Sequence, residues 1–154
     1  MIYITKINDR LYLFNICLIA IVIMANIGCA RTMQAHIIPD KELSTQATRI
    51  YVFRPSIIGL IENTTIFENN IITGQIGPRG YIVWDTKPGD ITLQGGLKRG
   101  LDFVKIIAQP GKTYYFKLRP TLSMAKGYSL IKISENEGKK YLAKLKQPEV
   151  KVVS

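Results

Sequence analysis

The sequence predicts an all-β domain: a small antiparallel β-sandwich of about seven to eight short strands, with one short C-terminal helix. From Arg49 onward, Gly, Pro, Asn and Asp interrupt the apolar runs about every ten to fifteen residues, a spacing typical of consecutive strands. With 154 residues, of which 47% are apolar and 21% charged, the chain has the size and composition of a single globular domain.

Eight segments have the length and residue types of strands. They are residues 49–54, 65–69, 71–76, 80–86, 90–95, 102–108, 113–119 and 128–133. Each connection supplies a Gly or Asn that tolerates positive φ, or a Pro that presets a turn, so near neighbours are expected to pair antiparallel. The following side chains are predicted to be largely buried: Ile50, Val52, Ile82, Trp84, Ile91, Leu93, Val104, Ile106, Tyr115 and Leu130.

A short helix is predicted to follow the last strand. Ser134 and Glu137 form an S-x-x-E capping box, which marks a helix start, and Pro148 limits the helix to about Lys146. Gly138 weakens such a helix by ~1 kcal/mol relative to Ala, and about three turns are marginal in isolation. We therefore expect its apolar side to dock on a sheet. That side consists of Tyr141, Leu142 and Leu145.

The first 28 residues have the order of a secretory signal peptide. Lys6 and Arg10 precede a run without charge at 11–25, and the small residues Gly28, Cys29 and Ala30 follow it. The apolar run is shorter than the ~20 residues of a membrane-spanning helix, although an extension to residue 27 would permit an uncleaved anchor. Cleavage of the segment is the preferred interpretation.

Residues 26–29, Asn-Ile-Gly-Cys, resemble the bacterial lipobox, in which the cysteine receives diacylglycerol before the signal is removed. The resemblance implies a lipid anchor on Cys29, although Asn26 stands where the pattern prefers Leu. Ala30, rather than Asp, follows the cysteine, which by the same resemblance favours the outer over the inner membrane. Cleavage after Ala30 would instead release a soluble protein.

The predicted organisation has four parts. Residues 1–28 form the signal peptide, 29–47 the lipidated cysteine and a spacer, 48–146 the sandwich, and 147–154 a tail. The spacer could extend up to ~60 Å. It contains His36, the only histidine, which is expected to be exposed and without a catalytic role.

The formal charge of +10 favours anionic partners. For an exported domain these are lipid headgroups, lipopolysaccharide phosphates or acidic wall polymers, and nucleic acid is not an expected partner. The candidate anion-binding residues are Lys98 and Arg99, in the glycine-rich segment 95–100, and the helix residues Lys139, Lys140 and Lys144. For Lys98 and Arg99, a basic hairpin tip without a ligand is the preferred interpretation. For the helix lysines, an ordinary charged surface explains the residues equally well.

The predicted sandwich has neither Cys nor His, which excludes a thiol nucleophile and the usual transition-metal sites. No cofactor, metal site or catalytic residue is predicted. Asp85 and Asp90 flank one turn and could share a cleft, but the preferred interpretation is that they cap this Pro-Gly hairpin by bonding local amides.

The turns and strands together resemble the bacterial domain-of-unknown-function family 2846 over about 49 to 145. The similarity is carried by residues 49–55 (RIYVFRP), Gly80-Tyr81 leading to 87–89 (KPG), 111–116 (GKTYYF) and 134–138 (SENEG). It implies a small exported protein, often a lipoprotein, with a β-sandwich and no assigned activity. Many relatives have a histidine after the Pro-Gly turn, where this chain has Asp90-Ile91.

These observations lead to a ranked set of functional hypotheses. The first is a non-enzymatic envelope lipoprotein that binds a partner protein or an anionic envelope component. The second is an exported enzyme acting on lipid or cell wall, which a pocket lined by Asp85, Asp90 or Asp102 would favour. The third is a secreted soluble binding factor.

Overall fold

The structure, a computed structural model, is a two-sheet sandwich with one short helix. It describes residues 14, 16, 32–34, 42–57, 63–96, 102–121, 128–145 and 149–150. The strands are β1 Met33–Gln34, β2 Thr48–Arg54, β3 Thr64–Glu68, β4 Ile71–Ile76, β5 Gly80–Thr86, β6 Gly89–Gly96, β7 Phe103–Ala108, β8 Thr113–Pro120, β9 Tyr128–Ile133 and β10 Glu149–Val150, and the helix is α1 Glu135–Leu142. The eight longer strands and the C-terminal helix confirm the predicted fold class.

The strand order is partly non-local. Sheet A has the order β10-β1-β4-β3-β6-β7, and sheet B has the order β5-β2-β8-β9. Antiparallel hairpins join β3 to β4, β6 to β7 and β8 to β9, as near-neighbour pairing predicts. However, β2 pairs with β8 in parallel, and β1 pairs with β10 in parallel. Alternation and turn chemistry identify strands locally, but they do not determine which distant strands meet.

The turn between β3 and β4 follows from its two central residues. Asn69 and Asn70 have φ values of 48° and 68°, and positive φ at both positions is the requirement of a two-residue type I′ hairpin. Asn is one of the few residues other than Gly that adopts this conformation readily. The Asn69 side chain accepts a bond from the Thr92 backbone N–H at 2.9 Å, which ties the turn to β6.

The core lies between the sheets and is built from inward-facing aliphatic and aromatic residues. Of the ten side chains predicted to be buried, eight are buried, while Val104 and Ile106 are only partly so. Tyr115 is buried on the opposite face of sheet B, and its neighbour Phe116 is the residue that enters the core. Both faces of this strand are apolar, so alternation alone did not distinguish them.

A fully buried arginine joins the two sheets. Arg54, at the end of β2, donates from Nη1 to the Ile76 carbonyl of sheet A at 2.9 Å. Its Nη2 donates to the Tyr128 hydroxyl of sheet B at 2.8 Å, and the guanidinium lies 4.7 Å from that ring's centroid. The planar guanidinium makes directed bonds to both layers at once, which a lysine could not reproduce.

Helix α1 begins at its predicted cap and ends earlier than predicted. The Ser134 side chain accepts a bond from the Glu137 N–H at 3.3 Å, and the helix stops at Leu142 rather than near Lys146. Gly138 is buried against sheet B, and a Cβ there would meet a Tyr115 ring carbon at 2.4 Å. Gly138 therefore lowers helix propensity but allows the helix to approach the sheet closely.

Part of the predicted spacer belongs to the sandwich. Met33 and Gln34 form β1 and pair with Gln75 and Gly74 of β4. The Thr32 hydroxyl accepts a bond from the Gly77 N–H at 3.0 Å. The chain thus joins sheet A at Thr32, well before the predicted domain boundary at residue 48.

Candidate functional site at one end of the sandwich

A cleft of about 660 Å³ lies at the end of the sandwich where β3 and β5 finish and β2 and β6 begin. We call this the cleft end. Its lining includes Glu68 and Thr73 of sheet A and Asp85 and Thr86 of sheet B. Both sheets contribute because the cleft lies between their adjacent strand ends.

Glu68 is held rigidly at the base of this cleft. One carboxylate oxygen accepts a bond from Trp84 Nε1 at 2.6 Å, and the other accepts one from Thr86 Oγ1 at 2.6 Å. Trp84 is buried, so its indole N–H requires a partner, and Glu68 supplies it from the opposite sheet. Because both carboxylate oxygens are engaged, Glu68 acts as a link between the two layers.

Asp85 is engaged in a similar way by Arg49. The Arg49 Nε and Nη2 atoms donate to the two carboxylate oxygens at 2.7 and 2.9 Å, in a bidentate pair. These bonds raise the pKa of Arg49 against the opposing effect of desolvation. The two residues face each other across β2 and β5, so the sheet register itself places them together. The pair stabilises the cleft wall and fixes the orientation of the Asp85 carboxylate.

A β-bulge directs one polar side chain toward the cleft. Ile66 pairs with Gly74 and Phe67 pairs with Ile72, which leaves Thr73 as the extra residue of β4. Bulges redirect side chains in this way and are frequent beside functional sites. Thr73 is 1% exposed, and among the described residues its hydroxyl has no hydrogen-bond partner.

Of the three aspartates considered from the sequence, the fold brings two to the cleft. Asp85 and Asp90 both line it, whereas Asp102 precedes β7 at the opposite end. Asp85 bonds the side chain of Arg49 rather than local turn amides. Asp90 is exposed, and its carboxylate bonds no side chain in the described part of the chain.

Sequence reasoning missed Glu68 and Thr73 as cleft residues. Glu68 bonds residues 16 and 18 positions away, and nothing in its local sequence indicates those partners. The bulge that redirects Thr73 depends on the pairing of β3 with β4. The one local signal is the pair of asparagines at 69 and 70, which marks the adjacent hairpin turn.

The three predicted anion-binding residues that the structure describes do not line the cleft. Lys139, Lys140 and Lys144 lie on or just beyond α1 and are all exposed, and Lys139 is paired to Glu135 at 2.7 Å. Lys98 and Arg99 lie outside the described residues, as does Cys29. The anion-binding role of the five residues therefore stays a prediction.

A partly buried ion pair connects the helix to sheet B. Lys117 Nζ donates to Glu137 Oε1 at 2.5 Å, and the Tyr141 hydroxyl donates to the same oxygen at 3.2 Å. The hydrogen bond raises the pKa of Lys117 and lowers the pKa of Glu137. The ammonium group of Lys117 is thus engaged by the helix and is not a free surface charge.

In the described part of the chain, no group of three or more His, Cys, Asp or Glu side chains is placed to hold a metal ion. Among the described residues, no helix has the length and apolar character needed to cross a bilayer.

The resemblance to family 2846 stays a prediction. Comparison of the chain with protein-family models, curated proteins and solved structures found no match.

Proposed function

We propose that the protein is a non-enzymatic lipoprotein of the bacterial cell envelope. A lipid on Cys29 anchors it, at the outer membrane rather than the inner, facing the periplasm or the cell surface. The sandwich binds a partner protein or an anionic envelope component. The proposal combines the order of the N-terminal segment with the way in which the cleft side chains are bonded.

The bonding of the cleft carboxylates carries the non-enzymatic part of this proposal. A general acid or base must be free to exchange a proton with a substrate, within hydrogen-bond reach. Both oxygens of Glu68 and both oxygens of Asp85 already accept bonds from other side chains. Bonds that link the sheets in this way favour a rigid binding scaffold over a reaction centre.

Net charge supports an anionic partner. The chain from Cys29 onward carries nineteen Lys and Arg residues against ten Asp and Glu residues. Such an excess attracts headgroup phosphates and acidic polymers, and the attraction weakens as salt rises. Export excludes nucleic acid as the ordinary partner, although the same charge would bind it in a test tube.

An exported enzyme acting on lipid or cell wall is the second candidate, and the cleft itself favours it. Asp85 and Asp90 share this cleft, as such a function would require. Asp90→Asn tests this candidate because it removes a carboxylate without altering the bonds of Glu68 or Asp85. Loss of a lipid- or wall-degrading activity with unchanged folding would support the enzyme; absence of such activity in the wild type supports the binding protein.

The decisive experiment measures intact mass and membrane fractionation of the wild type and Cys29→Ser in a bacterial host. The proposal predicts a wild-type chain that begins at Cys29, carries added acyl mass and fractionates with the membrane. Cys29→Ser should lose both the acyl mass and the processing. An unlipidated chain that begins at Arg31 would contradict the anchor and support a secreted soluble binding factor, and an intact N-terminus would support a helical anchor.

A further inference from the structure

The two ends of the sandwich differ in charge. At the cleft end, five acidic side chains are matched by five basic ones. The acidic residues are Glu42, Glu68, Asp85, Asp90 and Glu135, and the basic ones are Arg49, Lys87, Lys112, Lys132 and Lys139. The opposite end contains the turn between β4 and β5, the end of β8 and the start of β9. We call it the anchor end.

Exposed cations dominate the anchor end in the part of the chain that the structure describes. Arg79 lies in the turn between β4 and β5, and Arg119 lies near the end of β8. Asp102 is the acidic residue of this end that the structure describes. Ile57, which follows β2 there, is 56% exposed and adds an apolar side chain to the basic surface.

Helix α1 extends this asymmetry along the outside of sheet B. It starts at the cleft end, after Ile133, and its Tyr141 ring lies 5.5 Å from the ring of Phe53, near the anchor end of β2. Its acidic residues Glu135 and Glu137 are in the first turn, whereas Lys144 follows the C-terminus and is exposed. The helix therefore directs negative charge toward the cleft end and positive charge toward the anchor end.

The chain enters the sandwich at the anchor end. β1 runs antiparallel to β4, with Met33 opposite Gln75, so residues before Met33 extend toward the β4–β5 turn. The bond from Gly77 N–H to the Thr32 hydroxyl fixes this entry point. Cys29 is three residues before Thr32, a distance of at most ~11 Å along an extended chain.

We infer that the anchor end faces an anionic membrane surface and that the cleft end points away from it. This inference rests on the proposed lipid on Cys29, because the short tether selects which end lies near the bilayer. Arg79, Arg119 and Lys144 then meet the headgroup phosphates, whose negative charge attracts each of them. The cleft end, where acidic and basic side chains balance, points away from that surface and remains accessible to a partner in solution.

The inference can be tested with acylated protein reconstituted into vesicles. A fluorophore is attached through Ile57→Cys at the anchor end or Gln109→Cys, an exposed residue at the cleft end. Cys29 is blocked by its thioether, and Cys17 leaves with the signal peptide, so only the new thiol is labelled. Quenching by a headgroup-labelled nitroxide lipid is measured in phosphatidylcholine vesicles with and without phosphatidylglycerol.

We expect strong quenching of the Ile57→Cys probe and little quenching of the Gln109→Cys probe in the anionic vesicles. The difference in quenching between the two probes, called the contrast below, should shrink without phosphatidylglycerol. It should also shrink at about 1 M salt, where the screening length falls to ~3 Å. Reversing the three anchor-end charges, with Arg79→Glu, Arg119→Glu and Lys144→Glu, should also reduce it. The matched control Lys87→Glu, Lys105→Glu and Lys112→Glu makes the same change in net charge elsewhere and should preserve it.

Equal quenching of the two probes on acylated, vesicle-bound protein would overturn the inferred orientation and leave the lipid anchor intact. An equal loss of contrast in the control triple variant would also overturn it, since net charge alone would then explain the effect. A mature chain without acyl mass would overturn the proposed function and this inference together. Trp84 fluorescence confirms that each variant is folded.

Discussion

The outer faces of the two sheets contain similar residue types but have different surroundings. On sheet B, Phe53 is completely buried and Tyr115 is 8% exposed, because α1 lies across them. On sheet A, Phe103 is 55% exposed and Ile107 is 78% exposed, and no element that the structure describes lies across them. An apolar residue on an outer face therefore does not reveal whether that face is covered.

The covered face is held by aromatic contacts and one ion pair. The ring centroid of Tyr51 lies 5.4 Å from that of Tyr115, and that of Phe53 lies 5.8 Å from that of Tyr81. Burial raises the pKa of both Tyr81 and Tyr115, which keeps their hydroxyls neutral to higher pH. Helix α1 thus turns the outer face of sheet B into a second, smaller core.

The largest expected effect comes from replacing a phenylalanine on the covered face of sheet B, compared with replacing one on the exposed face of sheet A. Phe53→Ala should destabilise the protein by about 3–5 kcal/mol, because it leaves a cavity between sheet B and the helix. Phe103→Ala should change stability by about 0.5 kcal/mol or less, because this ring is mainly exposed. Urea unfolding of the full chain, followed by Trp84 fluorescence, measures both. Similar losses in the two variants would mean that sheet A is also covered.

A smaller effect is expected from adding one methyl group under the helix. In Gly138→Ala the new Cβ would lie 2.4 Å from the Tyr115 ring, so the helix must shift. We expect overpacking to lower the free energy of unfolding by about 1–3 kcal/mol, despite the ~1 kcal/mol gain in helix propensity. Asn136→Ala, at an exposed position of the same helix, is the control. A stabilised Gly138→Ala variant would show that helix propensity outweighs the close contact.

The smallest effect, and a pH-dependent one, is expected at the ion pair between α1 and sheet B. Glu137→Gln should lower the free energy of unfolding by about 1 kcal/mol or less, which is the range for partly exposed ion pairs. The folded-state pKa of Glu137 is lowered, so its contribution is present above its unfolded pKa of about 4.3 and is lost as pH falls through the folded value. Glu137→Gln should therefore flatten the decline of stability in acid.

The ion pair between Lys117 and Glu137 should also lose its contribution to stability at high pH. The folded-state pKa of Lys117 is raised, so its contribution is present below its unfolded pKa of about 10.4 and is lost as pH rises through the folded value. Glu135→Gln, which breaks the exposed pair with Lys139, is the matched control and should affect stability less. Identical acid profiles for wild type and Glu137→Gln would refute a stabilising role for the pair.

Local patterns account for the strands, the helix start and most of the core. Ser134 caps α1 through a bond that spans three residues, and Asn69 with Asn70 forms a turn through backbone preferences of their own. Alternation along β2 likewise predicts that Ile50 and Val52 enter the core. Such features depend on neighbours within a few positions, so sequence reasoning reaches them directly.

Tertiary structure alone decided the sheet order, the cleft and the covered face. The parallel pairing of β2 with β8, the link from Glu68 to Trp84, and the contact of Gly138 with Tyr115 all join residues that are distant in the chain. The helix lowers the free energy by burying the outer face of sheet B, and the position of Gly138 permits this. Sequence determined which segments form strands and a helix; the assembled sandwich determined which faces and charges meet, because those contacts depend on long-range geometry.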